Sequence, residues 1–415
     1  TTRAMAAVGD GAAARGWSPA VSELVNEGAY AVLEAATALE RKGKNIVHFE
    51  IGQPDFPTPP HVVKAGVEAL QGGDTTYCNP SGIADLKQAI AARFLKTRGV
   101  QVGADEVVVG PGCKPGIFFT AMALLKPGDE MILPDPGFPS YSNIAKVVGA
   151  AAVYVKLNAS NTCFDMEALA AAVTDKTRVL IMNSPSNPTG GVATAAELAD
   201  LAAIHAKWPN LWLFSDEIYA ELVYDGEAMP GHGGRVAPSY MGAAVSAGVR
   251  GRTVVFDGAS KTFCMTGWRL GWAVMPVDLA TRIHLLMVHA IGCSATFTQR
   301  AGVAALDGGG EQLVAMLDEY KARRDYVCDR LNRMPGVRCA VPAGAFYAFP
   351  NVSGTGLSCE DFASRALAEA GVAILPGTDF GPNGAGHIRI SYVRSMDVLK
   401  EGLDRLEAFV VSLGK

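Results

Sequence analysis

Between Glu106 and Val274 the chain alternates short apolar, β-branched runs with amphipathic stretches, and this alternation narrows the possible folds more than any other feature. The first run is Glu106-Val107-Val108-Val109-Gly110; others follow at 130–134, 152–157, 178–183 and 211–216. Helical spacing is predicted between them over 117–125, 139–148, 165–173 and 194–207, and 253–257 and 270–274 add two more strands. A helix between successive strands acts as a crossover, so the strands lie mostly parallel and helices cover both faces. Ligands of such sheets sit beyond the carboxyl ends of the strands. The residues just past each run are therefore the first places to look for chemistry.

The flanks read differently. Helical spacing over 21–42 ends at Gly43, and an apolar strand at 45–51 runs into a Gly-Pro loop that reads as a crossing between domains. Thr58 is predicted to cap a helix reaching Leu70, with Pro59 at its first position, and 83–97 is a further helix. Beyond helices at 279–291, 297–306 and 311–333 come short strands at 337–340 and 345–349, a helix at 359–370, a strand at 387–391 and a closing helix at 397–413. The expected class is α/β: a large three-layer domain with a mostly parallel sheet over 58–304, plus a smaller α+β domain built from both chain ends, 17–57 and 305–415. Residues 1–16, rich in Ala and Gly with no apolar h-region after them, read as a mobile tail.

Composition excludes several function classes. With 49% hydrophobic residues in 415, the chain can bury a large core. A net charge of -5 with scattered Lys and Arg offers no face for a nucleic-acid backbone. No apolar run approaches the roughly 20 residues that cross a bilayer, so no membrane span is expected. The eight cysteines include no Cys-x-x-Cys pair, which argues against a zinc site or a dense disulfide framework. Free thiols in a reducing, cytoplasmic compartment are expected, with no metal.

The segment Ala259-Ser260-Lys261-Thr262-Phe263-Cys264-Met265-Thr266-Gly267-Trp268-Arg269-Leu270-Gly271 places a lysine among small and apolar residues. Desolvation disfavours the ammonium form, so such an amine is poised to attack a carbonyl. The planar fork of Arg269, one loop away, suits a phosphate. An aldehyde that also carries a phosphate satisfies both, and pyridoxal phosphate is such a cofactor.

Other strand ends supply partners. In Ser215-Asp216-Glu217-Ile218-Tyr219, Asp216 can hold a pyridine nitrogen protonated, while Tyr219 can reach the ring's phenolic oxygen. Asn187, in Asn183-Ser184-Pro185-Ser186-Asn187-Pro188-Thr189-Gly190, is presented by a rigid turn toward the same oxygen. Phe138 can stack on a flat ring. Pro111-Gly112-Cys113-Lys114 opens a helix after a strand, which makes a ready anion site. Each motif alone is also an ordinary turn or core residue.

Their order and kind together resemble the fold-type I pyridoxal-phosphate aminotransferases, class I/II, of the aspartate-aminotransferase-like kind, from about Tyr30 to the C-terminus. The most specific parts are Ser-Lys-x-Phe-x-Met-x-Gly-x-Arg-x-Gly and Asn-Pro-Thr-Gly. The resemblance implies that Lys261 carries the internal aldimine and then moves the proton between the substrate α-carbon and the cofactor. It implies that Asp216 pairs with the ring nitrogen, that Asn187 and Tyr219 contact the ring oxygen, and that Phe138 stacks on the ring. The turn Gly112-Cys113-Lys114, Ser260 and Arg269 would hold the cofactor phosphate, and Tyr77 would reach the phosphate of a neighbouring subunit in a homodimer with shared sites.

For the substrate, the resemblance implies Arg389 at the α-carboxylate, a backbone contact at Gly52, and Asn187 beside them. Lys114 coincides with a lysine that faces a second substrate carboxylate in some aspartate and prephenate enzymes. Phe138 stands where many aspartate enzymes have tryptophan, and Tyr30 at the mouth suits an apolar or aromatic substrate. The expected reaction moves an amino group from an aspartate-like, alanine-like or aromatic L-amino acid to a 2-oxo acid by a ping-pong route. A lyase or oxidase on the same scaffold is the alternative; a cofactor-binding regulatory module would need a basic helix-turn-helix domain that this chain lacks. The segment 225–251 is longer than in compact relatives.

Overall fold

The alternating segment folds into one seven-stranded sheet. Its strands are β1 (Val107–Gly110), β2 (Glu130–Asp135), β3 (Ala151–Lys156), β4 (Thr177–Asn183), β5 (Trp212–Asp216), β6 (Thr253–Gly258) and β7 (Gly271–Val274). Their order across the sheet is β1-β7-β6-β5-β4-β2-β3, and only β7 runs antiparallel to its neighbours. This computed structural model describes residues 16, 18–22, 24, 26–225, 235–308 and 310–414. The tail expected over 1–16 lies outside the described residues except for Gly16, as do 226–234 of the long segment 225–251.

Successive side chains along the strands are buried on alternate faces. Val108, Val179, Ile181, Phe214, Val254 and Phe256 pack into one core with the helices Cys113–Leu124 and Val277–Ala290. Leu180, Met182 and Leu213 face the opposite side against the helices Met166–Ala172 and Ala195–Ala206. Val107, Val109 and Val255 are buried on that same opposite side in a neighbouring core. Both faces are dry, which is why the runs read as nearly unbroken apolar segments.

The register aligns the strand ends that carry the candidate residues. Asn183 lies opposite Asp216, and both Gly110 and Gly258 lie opposite Gly271. Asp135, Asn183, Asp216 and Gly258 therefore end on one edge, with Lys261 in the single helical turn Ala259–Thr262 directly after β6.

The remaining sheets are small. Val47–His48 pairs in parallel with Val372–Ala373, while Leu375–Pro376, Ile388–Ser391 and Tyr347–Ala348 form an antiparallel trio. Val47 and Phe49 share one hydrophobic core with residues of the helices Gly310–Arg333 and Met396–Leu413, joined by Tyr219, Leu222 and Tyr224.

Several local expectations change. The helix predicted over 21–42 is broken into Pro19–Ser22 and Gly28–Glu40, because Glu27 is extended at φ -69°, ψ 123°. Thr58 caps nothing: its hydroxyl donates to the Cys264 carbonyl at 2.7 Å and accepts from Trp268 Nε1 at 3.0 Å. The helix there starts at Pro60. No strand forms over 337–340, where the Asn332 side chain takes up both the N–H and the C=O of Cys339 at 2.9 Å. The helix expected over 359–370 widens to a π-turn at Ala366–Ala370. Helix Tyr240–Ser246 and the pairing of Val372–Ala373 with Val47–His48 have no counterpart in the sequence reading.

Candidate active site

The amine of Lys261 donates to the Gly52 carbonyl at 2.7 Å and lies 5.9 Å and 5.7 Å from the ring centres of Tyr219 and Phe346. Burial, joined by the positive fields of Arg389, Lys114 and Arg269, brings its pKa down to about 8. Gly52 is thus engaged by Lys261 through its oxygen. The loop expected to cross between domains holds the Lys261 amine.

Asp216 is buried at the end of β5. Its Oδ2 accepts from the Tyr141 hydroxyl at 2.7 Å and its Oδ1 from the Ile218 N–H at 3.3 Å. Burial raises its pKa to about 6 despite those hydrogen bonds and the positive field of Lys261. Tyr219 Oη and Tyr347 Oη lie 2.8 Å apart in a hydrogen bond, and burial holds the Tyr219 phenol well above the usual range and raises that of Tyr347.

Asn183 fixes the Asn187 turn by accepting the Asn187 N–H at 2.8 Å and donating to the Asp216 carbonyl at 2.9 Å. Asn187 Oδ1 accepts from Arg389 Nη1 at 3.2 Å. Arg389 is buried between the rings of Tyr347 (4.5 Å) and Phe380 (5.1 Å) and donates through Nη2 to the Glu50 carbonyl. Its Nε is buried without a partner. An orphaned guanidinium donor in a pocket calls for an anion.

At the other end, Gly112 precedes the helix Cys113–Leu124 at φ +95°, where a Cβ would sit 2.4 Å from Arg269 Nη2. Only glycine fits this close approach without strain. Gly112 N–H turns back to Gly110 O at 2.8 Å, and the N–H groups of the helix start, which have no intrahelical partner, follow from Cys113. Arg269, itself left-handed at φ +57°, donates to Thr266 O at 2.9 Å and Pro111 O at 3.1 Å. Ser260 is half-buried beside Lys261. Phe138 meets Tyr141 edge to face at 5.5 Å.

Two expected substrate residues lie further out. Lys114 Nζ donates to Glu27 Oε2 at 2.7 Å and sits 4.9 Å from the Phe138 ring centre. Tyr30 is 58% exposed on the helix Gly28–Glu40, and Tyr77 is 92% exposed.

The sequence reading missed Tyr347 and Phe380 around Arg389, Tyr141 as the partner of Asp216, and Glu27. An aromatic pair such as Phe346-Tyr347 in a short strand was the available signal. It also missed Arg98, whose buried guanidinium joins Asp257 at 2.6 Å and Glu217 at 3.2 Å, tying the ends of β6 and β5 together. All eight cysteines are free, and no cluster of three or more His, Cys, Asp or Glu among the described residues is arranged to hold a metal.

A buried carboxylate with a raised pKa, an amine with a lowered one, a helix start with an arginine across a glycine cradle, and an orphaned guanidinium donor fit a pyridine ring with an aldehyde and a phosphate. They define the class of pyridoxal-phosphate enzymes that act on amino acids. The family model for aminotransferase class I and II matches residues 44–406. The chain is 36% identical to an aspartate aminotransferase of Rhizobium meliloti, over 94% of this chain and 93% of that one. It is likewise 36% identical to an arginine–pyruvate transaminase of Pseudomonas aeruginosa, covering 89% and 91%. A solved aspartate aminotransferase from Thermus thermophilus with maleate superposes with a TM-score of 0.87 at 34% identity, covering 95% and 99%.

The chain belongs to the class I and II aminotransferases. It is a pyridoxal-phosphate-dependent enzyme that moves an amino group from an amino acid to a 2-oxo acid, and the lyase or oxidase alternative gains no support. No helix among the described residues is long and apolar enough to cross a membrane.

The amine of Lys261 is expected to titrate near pH 8 in the cofactor-free protein. Competitive labelling with a small acylating reagent, followed by peptide mass spectrometry, should show Lys261 reacting with a midpoint near 8 while exposed lysines follow the usual value near 10.4. A midpoint above 10 would contradict the desolvation.

Proposed function

We propose that the chain transfers the amino group of an aspartate-like, dicarboxylic L-amino acid, with Arg389 binding the α-carboxylate and Lys114 the second one. The observation that carries this reading is the half-exposed Lys114 ammonium, 4.9 Å from the Phe138 ring centre and close enough to Lys261 for its charge to be felt there. The aspartate aminotransferases among the similar proteins, one of them solved with the dicarboxylate maleate, support it.

Pyridoxal phosphate, when bound, supplies an aldehyde and an electron-withdrawing ring that takes up the electron pair left when the substrate's Cα–H bond breaks. The residues divide the remaining work. Cys113 and Lys114 through their N–H groups, together with Ser260 and Arg269, would hold the phosphate. Asp216, aligned by Tyr141, would keep the proton on the ring nitrogen, and Asn187 and Tyr219 would hold the ring oxygen. Phe138 would cover one ring face. Lys261 Nζ would take the proton from the substrate Cα and return it on the far side of the reaction. Arg389, stacked between Tyr347 and Phe380, orients the substrate through its carboxylate near Gly52.

The same reading places the cofactor on a large domain over 58–304, the small domain over 17–57 and 305–415, and the enzyme in the cytoplasm as a homodimer. The exposed Tyr77, with the exposed Val63, Val67 and Leu70 nearby in the chain, supplies an apolar face that a second copy would cover.

The first half-reaction, followed by cofactor absorbance in single turnovers, tests the substrate reading. Aspartate and glutamate should exceed alanine, tyrosine and arginine by at least about tenfold in catalytic efficiency, the scale of one charged hydrogen bond. Preference for an aromatic or basic donor would overturn it.

A further inference from the structure

The ammonium of Lys114 already has an anion. Glu27 reaches it at 2.7 Å across 87 positions of sequence, from the residue that precedes the helix Gly28–Glu40. Glu27 does not spend its side chain on capping that helix. Its carboxylate is only about a quarter exposed, against about half for Lys114.

The position of Glu27 is set by close packing. The next residue is Gly28, where a Cβ would lie 1.8 Å from Asp379 Oδ2, so the helix start is seated directly on Asp379. Asp379 precedes Phe380, the ring that stacks on Arg389 at 5.1 Å. One short path therefore joins Glu27 to the arginine proposed for the α-carboxylate. The Glu27 charge is felt at both Lys261 and Tyr347, which puts it on the same pocket.

We propose that Glu27 is a specificity-determining residue: it competes with the side-chain carboxylate of the substrate for Lys114. This rests on the reading that Lys114 receives that second carboxylate. An amino acid with an uncharged side chain leaves the Glu27–Lys114 pair intact. A dicarboxylic one must displace Glu27 and return a carboxylate to water or to another donor, which weakens its binding relative to a pocket without Glu27. Glu27 thus narrows the gap between dicarboxylic and uncharged substrates and lets one pocket serve both.

The test compares the holoenzyme with Glu27→Gln, Glu27→Asp and Lys114→Ala in the first half-reaction, with aspartate, glutamate, alanine and tyrosine. Removing a negative charge near Arg389 strengthens every carboxylate a little, so the readout is the ratio of KM values and not either one alone. Glu27→Gln should lower KM for aspartate about fivefold relative to alanine, the upper range for a partly exposed ion pair. Maleate as a competitive inhibitor should tighten in parallel, and Glu27→Asp should fall between. Lys114→Ala should raise the aspartate KM relative to the alanine KM, and adding Glu27→Gln to it should shift that ratio by less than Glu27→Gln does in the wild-type background.

If Lys114→Ala leaves aspartate untouched, the second-carboxylate reading itself fails. If Lys114→Ala acts as expected but Glu27→Gln leaves the aspartate-to-alanine ratio unchanged, the competition is refuted on its own. An equal effect of Glu27→Gln on all donors would also refute it, leaving the pair as a structural latch between the helices Gly28–Glu40 and Cys113–Leu124.

Discussion

Lys261→Ala protein is expected to transaminate at no more than about a thousandth of the wild-type rate, the scale of a lost acid–base group, and to lose the visible absorbance of the lysine-bound cofactor. The group removed is one amine whose position is fixed by the Gly52 carbonyl at 2.7 Å and whose surroundings already favour its neutral form. A small primary amine such as methylamine, added to the medium, should restore part of the rate, because the missing function is a proton carrier and not a fold element. Stability provides the control. A lysine whose folded pKa is lowered to about 8 costs stability while it is charged, and stability rises with pH between about 8 and the unfolded value near 10.4. Removing it therefore should not lower the melting temperature at pH 7.5. Near-normal turnover in this variant would take Lys261 out of the mechanism.

Asp216→Asn is expected to slow the first half-reaction about a hundred- to a thousandfold, the range for one lost preorganised electrostatic contact. The Asn keeps the shape and can still accept from Tyr141, but it cannot balance a proton held on the ring nitrogen. The sign of the pKa shift separates this effect from damage to the fold. A carboxyl raised to about 6 contributes stability while it is protonated; that contribution is present below the unfolded value near 3.9 and is lost as pH rises through about 6. At pH 7.5 the neutral Asn should thus leave the cofactor-free protein at least as stable as the wild type in thermal unfolding. A large fall in melting temperature, or a rate within a few fold of wild type, would contradict the assignment.

Both predictions concern residues that could be located from sequence. Asp216 and Lys261 follow apolar runs directly, and in a mostly parallel sheet the carboxyl ends share one edge by construction. Asn187 and Phe138 come with them, each a few residues past a strand. Local rules that depended on one side chain's choice of partner did worse. Thr58 looks like a helix cap, yet the Cys264 carbonyl and Trp268 claim its hydroxyl, because the loop before the helix packs against the Lys261 segment. The strand expected at 337–340 is reduced to a single bridge of Arg338 with Asn351, because Asn332 takes up both backbone groups of Cys339. Propensity cannot see such competitors, since they arrive from elsewhere in the chain.

Local sequence pattern was enough to give the sheet, the edge on which its strand ends gather, and the residues proposed there for the cofactor. These follow from periodicity and chain order, which are local properties with a geometric consequence. Only the tertiary structure decided what each charge sees: Arg389 reaching Asn187 across 202 positions, Tyr219 meeting Tyr347 across 128, and Lys114 held by Glu27 across 87. Such pairs depend on how separate elements dock, and the proposal for substrate choice rests on one of them, Lys114 with Glu27.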